Sequence, residues 1–131
     1  MSGTTEGAVR VIDSAVDCPR LPIIVGEGTA VAAMWPGNGA KWRTFNVLDI
    51  KAGSQTIDLQ HPSDSVYYVR AGAGVVIDIA TGRATQLAEG TMLHIDRGDA
   101  YRFEAASNHD LLVIGGPCPA DERLYQHLKG A

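Results

Sequence analysis

Short apolar or alternating runs follow one another along the chain, each ended by turn-forming residues. The runs are AVRVI (8–12), LPIIV (21–25), TAVAAMW (29–35), WRTFNVLDI (42–50), QTIDLQH (55–61), SVYYVRA (65–71), GVVIDIA (74–80), ATQLA (84–88), TMLHI (91–95), AYRFEA (100–105) and DLLVIG (110–115). Their length and their content of Val, Ile, Tyr and Thr predict β-strands. Between them stand WPGNG (35–39), KAGS (51–54), HPSD (61–64), AGAG (71–74), TGR (81–83), AEG (88–90), DRGD (96–99) and ASNHD (106–110). In these the Gly, Pro, Asn and Asp residues supply turn geometry. About eleven short strands in so small a chain predict an all-β sandwich or closed barrel.

Helical spacing is confined to the C-terminal stretch. After GGPCPA (115–120), Asp121 is placed to cap a short helix over ERLYQHLK, with Leu124 and Leu128 on one face. No long-period repeat, low-complexity tract or linker interrupts the chain. One domain over 8–131 is expected, preceded by a frayed end at 1–7.

Composition narrows the function classes. The chain has 131 residues, 45% of them hydrophobic, enough to bury a core without staples. Eleven Lys and Arg against fifteen Asp and Glu leave a net charge of −4, with no basic run. That balance argues against nucleic acid or an anionic membrane as the main partner. No apolar run approaches the roughly 20 residues needed to span a bilayer. The opening MSGTTEGAVR lacks the apolar core of a signal peptide, so a cytoplasmic location is expected. Cys18 and Cys118 make no disulfide framework and are expected as plain thiols.

Two stretches carry a resemblance. From Gly53 the sequence runs SQTID, Leu59-Gln60-His61, PSD, Ser65, VYYVRA and Gly72; from Gly90 it runs TMLHI, Asp96-Arg97-Gly98, Asp99-Ala100, Tyr101, RFE and Ala105. These spacings resemble the two motifs of the cupin family of small jelly-roll barrels, with the turn glycines 53, 72, 90 and 98 in place. The resemblance covers about half the chain directly and implies an all-β cupin jelly-roll barrel with a short C-terminal helix. In that family four motif positions usually hold a divalent metal: two His, a Glu and a third His. Carried over, they become Leu59, His61, Ser65 and Tyr101. Leu cannot ligate, and Ser and neutral Tyr are poor ligands, so the family's usual site should not bind metal tightly.

Candidate chemistry then centres on what remains. His61 is a candidate general acid or base, and Tyr101 a hydrogen-bond donor to a substrate oxygen. Ser65, Tyr67, Val69 and Phe103 share strand parity with the motif positions and, with Leu59, are expected to line an apolar substrate pocket. A rebuilt metal site from His61, Asp64 and His94 is an alternative, because the inward face of 91–95 does not follow from parity. Asp64 and Asp96 otherwise read as turn residues, Trp35 and Trp42 as core anchors, His109 and His127 as solvated, and Cys118 as part of a rigid connector.

The leading expectation is a metal-independent enzyme of isomerase, cyclase or lyase type, acting on a small oxygenated metabolite and needing no cofactor. The alternatives are a cupin dioxygenase with rebuilt ligands and a non-catalytic metabolite-binding cupin. Resemblance to small cupins further implies a homodimer.

Overall fold

The computed structural model describes residues 9–16, 18–40 and 42–129; the frayed end expected at 1–7 lies outside them. Nine strands are found among these residues: β1 (Ile24–Val25), β2 (Gly28–Met34), β3 (Phe45–Ile50), β4 (Gln55–Thr56), β5 (Asp64–Asp78), β6 (Ala84–Ala88), β7 (Met92–Ile95), β8 (Tyr101–Ala105) and β9 (Leu111–Cys118). A 3₁₀ turn at Glu122–Tyr125 leads into one short helix, α1 (Gln126–Lys129). All pairings are antiparallel. One sheet runs β7–β5–β9–β3–β2 and the other β6–β5–β8–β4–β1, so the long strand β5 belongs to both. The result is a nearly closed β-barrel.

The AGAG stretch is not the turn expected of it. β5 runs through it unbroken, pairing with β7 and β9 up to Gly72 and with β6 and β8 from Ala73 onward. A register shift between Val69 and Ala71 marks the bend. Glycine is required there for close approach. Gly72 has φ +91°, and a Cβ on it would strike the Asp110 carbonyl oxygen; one on Gly74 would strike that of Glu104. Two predicted strands thus fuse into one because their shared glycines let β5 cross between sheets.

Other expected strands are shorter. No strand forms over 9–12, where Val9 and Val11 are exposed. The strand expected at 55–61 stops at Thr56 and returns only as a bridge, in which Leu59 and Tyr101 exchange backbone hydrogen bonds of 2.7 and 2.9 Å. The 42–50 run begins its strand at Phe45, and Trp42 is 75% exposed, so it is no core anchor. Trp35 does anchor: it stacks on the fully buried Tyr125 at 5.0 Å.

Alternation decides the core. In β5 the inward residues Ser65, Tyr67 and Val69 are buried while Val66, Tyr68 and Arg70 are exposed. They meet Leu48, Ile50, Phe103, Leu111 and Val113 between the sheets. Leu124 and Leu128 of the tail pack onto this cluster, which fixes the C-terminal segment against one end of the barrel. Among the described residues no helix is long and apolar enough to cross a membrane.

The bend glycine gives a sharp comparison. Gly72 and Gly82 both have positive φ, but nothing lies near a Cβ added at Gly82. Gly82→Ala should cost about 1 kcal/mol, whereas Gly72→Ala adds a backbone collision and should cost clearly more, roughly 2–4 kcal/mol. Urea unfolding of the two variants measures the difference; equal losses would contradict the crossing geometry.

Candidate active site

β8 begins at Tyr101, whose backbone is tied to Leu59, and two residues beyond Leu59 the chain places His61 inside the barrel. The tail then brings Asp121 to the same spot. His61 Nδ1 lies 2.7 Å from Asp121 Oδ2, and His61 Nε2 lies 2.9 Å from the Tyr101 hydroxyl. That hydroxyl lies 2.6 Å from the hydroxyl of Tyr67. Arg123 closes the other end, donating from Nη2 to Asp121 Oδ2 at 2.8 Å and from Nε to Oδ1 at 3.0 Å. Asp121, His61, Tyr101 and Tyr67 are each less than 5% exposed.

Protonation follows from the surroundings. Burial pushes the Asp121 carboxyl up, but the Arg123 guanidinium and the His61 ring outweigh it and hold its pKa at about 2. Burial lowers the His61 pKa and prevails over the pull of Asp121, so the ring is neutral at pH 7. A carboxylate only accepts, so the ring proton is assigned to Nδ1 and Nε2 is left as an acceptor. The Tyr101 hydroxyl therefore donates to His61. Burial pushes Tyr101 up to about 12, and Tyr67 well above its ordinary value, so both phenols keep their protons. Tyr67 in turn donates to Tyr101. The chain is polarised in one direction, from Tyr67 through Tyr101 and His61 to Asp121.

Ser65 stands beside this chain. Its hydroxyl favours the ionised form of Tyr101, yet the contact lacks hydrogen-bond geometry. Ser65 Oγ is the one buried side-chain oxygen found without a partner among the described residues.

Leu59, His61, Ser65 and Tyr101, at the positions where the cupin motifs usually carry metal ligands, do not fit a divalent ion. Leu59 has no donor atom, both nitrogens of His61 are engaged, and Tyr101 resists deprotonation. The rebuilt set of His61, Asp64 and His94 does not assemble either. On β7, Leu93 and Ile95 are the half-buried face while Met92 and His94 are exposed. His94 joins Asp64 (3.7 Å) and Asp96 (3.4 Å) on the outside, away from buried His61.

The pocket-lining set divides in the same way. Tyr67, Phe103 and Tyr101 pack edge to face, with ring centroids 4.9–5.9 Å apart, and Val69 and Ser65 are buried beside them. Tyr67, Phe103, Val69 and Ser65 are packed in the barrel interior and line neither of the two spaces beside it. Space lies on either side. Leu59, His61 and Asp121 border a cleft of about 480 Å³, and Tyr101 borders a hollow of about 330 Å³ between β6 and β7.

Asp121 has a second role that its place in the sequence does not show. It does cap the tail, accepting from the Arg123 backbone N–H at 3.1 Å through Oδ1, but Oδ2 holds His61. The available signal was a carboxylate and a guanidinium two residues apart in a segment returning to the barrel.

No family model matches the chain, and no curated protein matches it in sequence. Solved structures do match in fold. A predicted oxalate decarboxylase from Thermotoga maritima is similar at a TM-score of 0.69 and 21% identity, over 85% of this chain and 100% of that one. A cupin-like protein from the same organism gives 0.68 and 19%, over 80% of each chain. The polyketide cyclase RemF from Streptomyces resistomycificus gives 0.68 and 17%, over 86% and 83%. The chain has the cupin fold.

The buried pair sets a pH signature. Below about 6.5 an unfolded His61 takes up a proton that the folded ring, with its lowered pKa, refuses, so stability should fall as pH drops through that window. Asp121 adds a second loss, from about 3.8 down to about 2. Urea unfolding from pH 8 to pH 5 should show the first decline, with a shallower slope in His61→Gln. Stability that rises on acidification through pH 6 contradicts a neutral His61.

Proposed function

We propose that this cupin-fold chain is a metal-independent enzyme that moves a proton on a small oxygenated metabolite, in an isomerisation, cyclisation or elimination. The observation that carries the reading is the buried, one-way chain from Tyr67 to Asp121. Tyr101 oxygen takes a proton from the substrate as its own proton passes to His61 Nε2. The imidazolium so formed is stabilised by the Asp121 carboxylate 2.7 Å away. Tyr67 donates to the negative charge developing on Tyr101. Return of the proton to another substrate atom, or to a departing oxygen, restores every group. Both phenols stay neutral at rest because burial disfavours their anions, so the proton shifts are concerted. One fold neighbour, the polyketide cyclase RemF, is in keeping with cyclisation.

A metabolite-binding protein without turnover is the second reading, favoured by how fully Tyr67, Val69 and Phe103 fill the interior. A homodimer, expected by resemblance, is compatible with either.

The test is a screen of enolisable small ketones for deuterium uptake from D₂O, followed by ¹H NMR. Tyr101→Phe and His61→Asn should each slow exchange by roughly 10²–10⁴-fold while retaining the fold. Wild-type rates should rise with pH as His61 loses its proton and level off above its lowered pKa. Full activity in both variants, or turnover abolished by chelators and restored by a divalent metal, overturns the proposal. A ligand that raises Tm with no turnover selects the binding reading.

A further inference from the structure

Among the described residues β6 and β7 each pair only with β5, so the free edges of the two sheets face one another where the chain passes from one to the other. The hollow of about 330 Å³ lies in this gap, at the small end of the range for ligand sites. Val76, Leu87, Leu93 and Ile95 give it an apolar inner wall, Thr85 and Thr91 add hydroxyls, and Tyr101 is its most buried lining residue at 2% exposure. Charge gathers at the exposed rim: Asp78, Asp96 and Asp99 against the single guanidinium of Arg83. Two of these carboxylates have local partners. Asp78 accepts from the Ala80 N–H at 3.1 Å, and Asp96 lies 3.4 Å from His94. They give the mouth a negative field, and Asp96 and His94 on its rim form an exposed cluster with Asp64.

We infer that this hollow is the substrate's way to Tyr101 and that it takes an uncharged, largely apolar molecule bearing one hydroxyl or carbonyl oxygen. An anion meets three carboxylates at the mouth and then the apolar side chains of Val76, Leu87, Leu93 and Ile95, which cannot solvate it. A cation gains at the mouth but loses its hydration against Leu87 and Leu93. A neutral ring system keeps the gain from apolar burial and leads with its oxygen toward Tyr101. The cleft on the other side is differently built. It borders His61 and Asp121 but carries Arg123 and His127, and Arg123 already covers the Asp121 carboxylate. The inference deepens the reading of Tyr101 as the residue that meets substrate.

The experiment compares 2-naphthol, 2-naphthoate and 2-naphthylmethylammonium, three probes of one shape and different charge. Binding at pH 7 and low salt is followed by methyl chemical-shift changes. 2-Naphthol should bind at least ten-fold more tightly than either ion and shift Leu87 and Leu93 rather than Leu59 and Leu124. The deficit of 2-naphthoate should shrink in 0.5 M salt and in Asp99→Asn. Thr85→Trp, at the exposed mouth, should abolish binding, whereas Ile57→Trp, in the cleft, should leave it intact. An ion that binds as tightly as naphthol, shifts centred on the cleft, or no binding at millimolar concentration overturns the inference. Since the readout is binding, turnover that survives Tyr101→Phe overturns the proposed function alone and leaves the hollow's selectivity standing.

Discussion

A carboxylate buried to 3% exposure is tolerable only where fixed donors replace the water it has lost, and the Asp121 side chain organises one end of this barrel around that requirement. Arg123 and His61 supply the donors. Their geometry needs the tail brought back across the barrel end, and several contacts hold it there. Tyr125 stacks under Trp35, Ser63 donates to the Pro119 carbonyl at 2.7 Å, and Arg123 reaches the Gln60 carbonyl at 2.6 Å. Removing the carboxylate would leave His61 without the acceptor that sets its tautomer, and with it the orientation of the Tyr101 proton. The tautomer of His61 and the direction of the Tyr101 proton rest on one bond.

The cupin fold persists here with its metal-holding positions recast. Where four ligands would converge, an aliphatic side chain, an imidazole with both nitrogens engaged, a serine and a tyrosine stand instead. The interior volume is filled by edge-to-face rings, and Ser65 Oγ is left unpartnered among them. Charge stabilisation that an ion would bring is replaced by a fixed carboxylate two bonds removed from the phenol. In the function proposed above, directed proton transfer takes the place of Lewis acidity, a narrower chemistry suited to activated positions next to carbonyl groups.

Much of the fold was legible because glycine spacing and strand parity are local properties. Gly53, Gly72, Gly90 and Gly98 all adopt positive φ, and the inward parity of Leu59, Ser65, Tyr67, Val69, Tyr101 and Phe103 holds throughout. Local reasoning failed where a long-range partner decides the outcome. AGAG has the composition of a turn, yet neighbouring strands on both sides capture it into β5. His94 could not be placed by alternation alone because its face depends on the register in which its strand pairs with β5, where it falls opposite the outward Val66. At the site, His61 and Tyr101 stood out through their motif positions. Asp121 did not, since a residue sixty positions away along the chain leaves no periodic trace, and its capping role was already a sufficient local explanation.

The most direct test is the protonation state of one ring. In protein labelled with ¹⁵N-histidine, long-range ¹H–¹⁵N correlation spectra at pH 7 should show His61 neutral, with its proton on Nδ1 and an unprotonated Nε2. That pattern should persist to a pH below the ordinary histidine range and should change in Asp121→Asn. A doubly protonated His61 at pH 7, or a proton resting on Nε2, contradicts the account, because Tyr101 would then have no acceptor for its proton.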